Sequence, residues 1–117
     1  MGTLELAVRG VGALISVVGV GVCLYWYVFW NRNYEGRLIT HGPYAYVRHP
    51  FYSGFLSLAV GLTLLLPGYE TRILLTMTLA VIVAYVPREE EALLKQYRKK
   101  YSDYMEKVRH RLIPGVY

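Results

Sequence analysis

Cysteine and charge are both scarce in this sequence of 117 residues. The one cysteine, Cys23, cannot form a disulfide within the chain, which excludes a disulfide-stabilised secreted scaffold. Its place inside an apolar stretch indicates a packing role. Charged residues make up only 18%, against about 25% in an average soluble domain. Hydrophobic residues reach 55%, and this share excludes an intrinsically disordered chain.

The sequence also lacks the patterns of two common ligand sites. His41, His49 and His110 do not have the spacing of metal ligands, and no cysteine lies beside them. A glycine-rich phosphate-binding loop is absent as well. The formal net charge is +5, but the basic residues flank apolar stretches. This placement argues against nucleic acid as a partner and indicates charge on one side of a membrane.

Three apolar blocks account for most of the hydrophobic residues. The first block, residues 10–30, contains no formal charge and is long enough to cross a hydrocarbon core of about 30 Å. The blocks at 51–66 and 73–86 are shorter and are separated by a Pro-Gly turn. We predict an all-α integral membrane protein of a single domain, 1–117, with about three transmembrane helices. A hairpin over 51–86 that re-enters without crossing is the alternative.

Basic residues predict the orientation. All but two of the 13 lysine and arginine residues lie in the loop 31–50 or in the tail 87–117, and the exceptions are Arg9 and Arg72. Because cytoplasmic loops carry the excess of cations, we expect the N-terminus outside and the loop and tail in the cytoplasm. A plasma membrane and an endoplasmic reticulum fit equally well.

The tail has the periodicity of an amphipathic helix from Glu89 to Val108. Its three glutamates, 89–91, would lie in the first turn, where negative charge suits the helix dipole. Pro114 and Gly115 end the element. A helix with an apolar face and a cationic polar face typically lies along a membrane surface.

Two polar motifs stand at the ends of the predicted hairpin. Residues 42–54 read GPYAYVRHPFYSG, and residues 88–91 read REEE. The hairpin brings both motifs to the same membrane face, where ionisable groups are candidates for function. Individually these residues have simpler explanations: Arg48 as a membrane-face cation, His49 as an interfacial side chain, and Pro50 as an ordinary first helical residue. Their conjunction favours a site.

These motifs resemble those of the integral-membrane methyltransferases, which include isoprenylcysteine carboxyl methyltransferases and phospholipid N-methyltransferases. The similarity covers roughly residues 36–115. Spacing back from Tyr97 identifies Glu89 and Glu90 as the family's glutamate pair, with a slip to Glu90 and Glu91 as the alternative. The chain departs from the family at 98–100, where Arg-Lys-Lys replaces a frequent Gly-x-Glu. It also has fewer helices before the motif than many relatives, so a homo-oligomer would complete the site.

The resemblance implies S-adenosylmethionine as cofactor and a lipophilic acceptor, either a prenylcysteine carboxylate or a phospholipid amine within the membrane lipid. It implies Arg48 and Glu89 as catalytic residues. Arg48 would orient an anionic acceptor, and a carboxylate would accept the proton that an ammonium acceptor must lose. The residues implied to bind the cofactor are Tyr44, His49, Tyr52, Gly54, Glu89 and Glu90.

Two other functions remain open. Sterol-type reductases, which bind a nicotinamide dinucleotide such as NADPH, look similar near the C-terminus, where this chain reads RLIPGVY. They usually have Asn where this chain has Phe51, and a glutamate cluster would repel the dinucleotide phosphates. The third possibility is a small non-catalytic membrane scaffold that retains the motif.

Overall fold

A computed structural model describes residues 2–117, and all regular secondary structure in that range is helical. This confirms the all-α class. The helices are α1 (Thr3–Asn33), a short 3-10 helix (Gly42–Ala45), α2 (Pro50–Leu65), α3 (Tyr69–Tyr97) and α4 (Lys99–Lys107).

Helices α1 and α3 are long and apolar enough to cross a membrane. Only 17% of the most apolar window of each helix is buried within the protein. Such exposed apolar surface is typical of a helix that faces lipid, and it supports an integral membrane protein. Helix α2 has 16 residues and a length of about 24 Å, which is less than a typical hydrocarbon core. The number of complete crossings therefore stays a prediction.

Small residues bring α1 and α2 into close antiparallel contact, which we call the glycine seam. A Cβ added to Gly12 would lie 2.7 Å from the carbonyl oxygen of Gly61. A Cβ added to Gly19 would lie 2.7 Å from the carbonyl oxygen of Gly54. Backbones can approach this closely only where side chains are missing, as at helix contacts inside membranes. Helix α2 consequently packs more tightly on α1 than on α3.

Helix α3 corrects the predicted start of the tail helix. We expected a new helix at Glu89, but α3 continues through Pro87 to Tyr97. The buried residues Ile82, Val86 and Glu90 follow one another at intervals of four along one face. Packing on both sides of the proline keeps the helix continuous. The glutamates thus lie in the last third of α3, far from its first turn, and the expectation that they suit a first-turn dipole is wrong.

The break in the tail falls at Arg98, which has a φ of 50°. Helix α4 then packs its apolar face inward, with Tyr101 and Tyr104 buried against Leu38 and Leu93. This apolar face contacts the protein itself, and the expectation that the helix lies along a membrane surface stays a prediction. The polar face remains exposed, and the helix ends at Lys107, within one residue of the predicted end.

The glycine seam gives a matched pair of substitutions. We expect Gly19→Ala to lower the free energy of unfolding by about 1–3 kcal/mol, because the new methyl group meets backbone atoms of α2. Gly21→Ala is the control, since a Cβ there meets nothing within 4 Å and alanine is the better helix former. Unfolding of both variants in the same detergent micelles measures the difference. Equal stability of the two would contradict the close contact.

Candidate active site

A buried carboxylate, that of Glu90, lies at the centre of the polar residues. Glu90 projects from α3 with 3% of its surface exposed. Arg48 Nε lies 2.7 Å from Oε2, and its Nη2 donates to Oε1 at 3.4 Å. His49 Nε2 lies 3.1 Å from Oε2. Arg111 Nε donates to Oε1 at 2.8 Å. The predicted meeting of the two motifs therefore occurs around this one side chain.

The charges in this cluster compensate one another. A buried carboxylate is stable only when it is paired and hydrogen-bonded, and two guanidinium groups surround Glu90. The Tyr101 hydroxyl donates a further hydrogen bond to Oε2 at 3.4 Å. Burial, reinforced by the charge of Glu90, raises the pKa of the Tyr101 phenol well above its ordinary value. The phenol therefore remains a donor at physiological pH.

Glu89, the neighbour of Glu90, has a different environment. Successive helical residues point about 100° apart, and 45% of the Glu89 side chain is exposed. The Tyr52 hydroxyl donates to Glu89 Oε1 at 2.7 Å, and His49 Nδ1 lies 3.9 Å from Oε2. An ionised carboxylate has about four acceptor positions. Glu89 therefore keeps acceptor capacity for a ligand, whereas the oxygens of Glu90 are already engaged.

Two clefts adjoin this cluster. The loop cleft, about 220 Å³, lies between the end of α1, the loop before the 3-10 helix and the last turns of α3. The helix cleft, about 230 Å³, lies beside the first turn of α2. The loop cleft has aromatic walls that include Trp30, Tyr34 and Tyr97. Four residues line both clefts: Tyr44, Arg48, His49 and Glu89.

An apolar groove of about 340 Å³ separates α2 from α3 and adjoins the helix cleft through Phe51 and Tyr52. The groove exists because α2 packs closely on α1 and leaves space on its other side. The remaining lining residues are Phe55, Leu74, Met77, Thr78, Val81 and Ile82.

Hydrogen bonds from two helices fix Tyr44 in the wall between the clefts. Trp26 of α1 donates through Nε1 to the Tyr44 hydroxyl at 2.7 Å. The Tyr104 hydroxyl of α4 donates to the Tyr44 carbonyl oxygen at 2.6 Å. Burial is the main cause that raises the pKa of the Tyr44 phenol. Helices that are distant in sequence thus determine where this ring lies.

The structure separates the predicted site residues into three groups. Tyr44, Arg48, His49 and Glu89 line both clefts, and Tyr52 lines the helix cleft. Glu90 lies behind these residues as the centre of the ion cluster. Gly54 belongs to the glycine seam, where an added Cβ would lie 2.8 Å from Cys23 Sγ.

The alternative glutamate pair, Glu90 with Glu91, has less geometric support. The Glu91 side chain is 68% exposed and contacts Lys95 at 3.6 Å. It points away from the cluster, so the spacing that selects Glu89 and Glu90 agrees better with the geometry.

Sequence reasoning missed Arg111 as a member of the cluster. It counted Arg111 only among the basic residues of the tail and in the ending RLIPGVY. No local pattern distinguishes this arginine from Arg109, two residues earlier. Its role depends on the path of the chain after α4, which no spacing rule predicts.

Comparisons with known proteins agree with the motif. The model of the isoprenylcysteine carboxyl methyltransferase family matches residues 9–95. A protein-S-isoprenylcysteine O-methyltransferase of Schizosaccharomyces pombe is 38% identical over 60% of this chain and 33% of its own length. A probable protein-S-isoprenylcysteine O-methyltransferase of Oryza sativa subsp. indica is 38% identical over 70% of this chain and 43% of its own length.

A relative with a different activity also matches. The delta(14)-sterol reductase of Mus musculus is 36% identical over 69% of this chain, but only over 20% of its own length. The chain spans less than half the length of each of these three curated relatives.

The ion cluster predicts unequal effects for neighbouring glutamates. We expect Glu90→Gln to lower the free energy of unfolding by about 3–5 kcal/mol, because it leaves the buried Arg48 and the partly exposed Arg111 without their counter-charge. Glu91→Gln is the control, since its carboxylate is exposed, and we expect a change below about 1 kcal/mol. Unfolding of both variants in identical micelles gives the comparison. A Glu90→Gln protein as stable as the Glu91→Gln protein would contradict a structural role for the cluster.

Proposed function

Because this chain belongs to the isoprenylcysteine carboxyl methyltransferase family, we propose that it transfers a methyl group from S-adenosylmethionine to a lipophilic acceptor. The observation that carries this proposal is the shared wall of Tyr44, Arg48, His49 and Glu89 between the loop cleft and the helix cleft. One side of the wall suits a polar, aromatic donor. The other side opens toward an apolar groove.

The loop cleft has the chemistry that S-adenosylmethionine needs. Aromatic rings from Trp30, Tyr34 and Tyr97 line it and can pack on adenine or face the sulfonium cation. Glu89 offers a partly exposed carboxylate to the cationic amino group. Arg37, which also lines the cleft, offers a cation to the carboxylate end. The residues present therefore fit the donor.

The donor, when bound, supplies an electrophilic methyl carbon whose bond to sulfur breaks as an acceptor oxygen bonds to it. The protein has to align the acceptor and to exclude water. Arg48 lines both clefts and can direct an acceptor carboxylate toward the shared wall. A carboxylate acceptor carries no proton to be removed, so Glu89 is free to bind the donor and need not act as a base.

The groove supports a hydrocarbon chain on the acceptor. Its lining is almost entirely apolar, and it lies between α2 and α3, of which α3 leaves most of its apolar window exposed. A lipid-modified acceptor would enter sideways from the bilayer with its polar end toward Arg48. The positive charge of Arg48 suits both acceptor classes, because a phospholipid carries an anionic phosphate, and we favour the prenylcysteine carboxylate class. The names of the curated isoprenylcysteine relatives support the same choice.

The orientation follows from the location of the donor. S-adenosylmethionine is a water-soluble cytoplasmic compound, so the loop cleft and α4 should face the cytoplasm, with the N-terminus on the other side. The endoplasmic reticulum and the plasma membrane both meet this requirement.

Titration with S-adenosylhomocysteine, the demethylated product, tests the donor site directly. We expect the detergent-purified chain to bind it, and we expect Glu89→Gln to weaken binding by at least about 10-fold because a charged hydrogen bond is lost. Glu91→Gln, one residue beyond the ion cluster, should bind as the native chain does. Calorimetry measures all three proteins, with NADPH in a parallel series.

The alternative activities predict other outcomes of this titration. Binding of NADPH alone would replace the proposal with a reductase, as in the mouse relative. Binding of neither compound would indicate a non-catalytic scaffold. Equal affinity of Glu89→Gln and the native chain would remove Glu89 from the donor site.

The apolar groove predicts a dependence on acceptor chain length. We expect Met77→Trp to fill the groove and to raise the KM for a farnesylated cysteine acceptor several-fold. The KM for a cysteine acceptor with a short S-alkyl chain should not change. Leu79→Trp, on an exposed position outside the groove lining, is the control. Transfer of a labelled methyl group measures both, and phosphatidylethanolamine tests the amine class. Equal effects on long and short acceptors would contradict the assignment of the groove.

A further inference from the structure

The last residues of the chain, 108–117, form a segment that we call the C-terminal strap. It closes on itself, because the Tyr117 carbonyl oxygen accepts hydrogen bonds from the N–H groups of Arg111 and Leu112. The Val116 N–H donates to the Ile113 carbonyl oxygen at 3.0 Å. Gly115 lies in this turn with a φ of 81°, a conformation that favours glycine. The strap therefore has a defined shape of its own.

Backbone groups of the strap hold Arg48 and His49, the first two residues of the Arg48-His49-Pro50 segment that we call the RHP motif. The Arg48 N–H donates to the His110 carbonyl oxygen at 3.0 Å, and the His49 N–H donates to the Arg111 carbonyl oxygen at 2.8 Å. One turn into α2, the Ser53 hydroxyl donates to the Leu112 carbonyl oxygen at 2.6 Å. Three successive carbonyl groups of the strap thus fix the backbone from which the Arg48 and His49 side chains project.

Side chains of the strap reach the same cluster from behind. Arg111 Nε contacts Oε1 of Glu90, whereas His49 contacts Oε2 of the same carboxylate. Arg111 Nη1 donates to the Tyr117 hydroxyl at 3.0 Å, and the guanidinium lies 5.4 Å from the centre of that ring. Leu112 is buried against Ile82 and Val86 of α3. The strap therefore anchors both its backbone and its side chains in the site.

The strap nevertheless lies outside both clefts. All residues that line the loop cleft and the helix cleft fall between 26 and 104. The region matched by the family model ends at residue 95, before the strap begins. Any influence of the strap on a ligand must therefore act through residues that it holds.

We propose that Arg111 is a positioning residue for methyl transfer, which orients Glu90 and, through it, His49 and Arg48 at the shared wall of the clefts. Arg111 contacts neither donor nor acceptor. Its guanidinium fixes one oxygen of Glu90, so that the other oxygen meets His49 at a defined angle. The two strap carbonyl groups fix the backbone of the same pair. This inference rests on the proposed methyltransferase function.

The test compares Arg111→Ala with Arg109→Ala, an exposed arginine two residues earlier whose Nε contacts only the Glu106 carbonyl oxygen. We expect Arg111→Ala to lower kcat by about 10- to 100-fold, because small displacements of aligned groups cost rates of that order. The KM for the donor should change less than about threefold, since Glu89 is untouched. Arg109→Ala should retain native kcat. Millimolar guanidinium should partly restore Arg111→Ala and leave the other proteins unchanged.

Two further measurements distinguish positioning from folding. The stoichiometry of S-adenosylhomocysteine binding gives the folded fraction, so kcat is expressed per competent site. Amide hydrogen exchange at Arg48 and His49 should accelerate in Arg111→Ala, because the strap holds those two N–H groups. If Arg111→Ala does not fold, Tyr117→Phe replaces it. This variant removes only the hydroxyl that contacts Arg111, and it should lower kcat in the same sense but by less.

The outcomes separate this inference from the proposed function. A kcat per site in Arg111→Ala within twofold of the native value would overturn the positioning role. Absence of both S-adenosylhomocysteine binding and methyl transfer in the native chain would overturn the proposed function itself. In that case, amide exchange would still report whether the strap holds the motif.

Discussion

One buried carboxylate determines how the functional half of this molecule is arranged. Glu90 carries a charge that burial would make unstable unless cations and hydrogen-bond donors surrounded it. These partners come from the loop before α2, from α4 and from the C-terminal strap, with Arg48, Tyr101 and Arg111 as the members. Segments separated by long stretches of sequence therefore meet at a single side chain. Arg48 and His49, which contact this side chain, line both clefts.

Much of this arrangement could be predicted from the sequence. The apolar blocks predicted the helical class, which the structure confirms. The family match confirms the resemblance drawn from the RHP motif and the glutamate pair. The loop 31–50 and the later part of α3 could be predicted to lie close together, because the short turn between Leu65 and Tyr69 reverses the direction of the chain. Distances along the chain were enough for that conclusion. The assignment of donor-binding residues remains a prediction.

The sequence could not assign different roles to adjacent glutamates. Whether Glu89 or Glu90 faces the interior depends on the rotation of α3, and packing of Ile82 and Val86 sets that rotation. The continuation of the helix through Pro87 has the same cause, since burial on both sides outweighs one lost hydrogen bond. Arg111 was unpredictable for another reason. Its partner lies 21 positions away in the sequence, and the return of the chain depends on tertiary contacts alone.

The glycine seam has a consequence for the register of α1 against α2. Trp26 lies two turns beyond Gly19, and its indole N–H holds the Tyr44 hydroxyl. A slip of α1 by one turn would move Trp26 by about 5.4 Å, too far for that hydrogen bond. The glycine seam thus sets the position of the Trp26 side chain along the axis of α1, at the membrane face. A substitution at a small residue of the glycine seam would therefore shift α1 along its axis. That shift would reach the wall between the clefts through Trp26 and Tyr44.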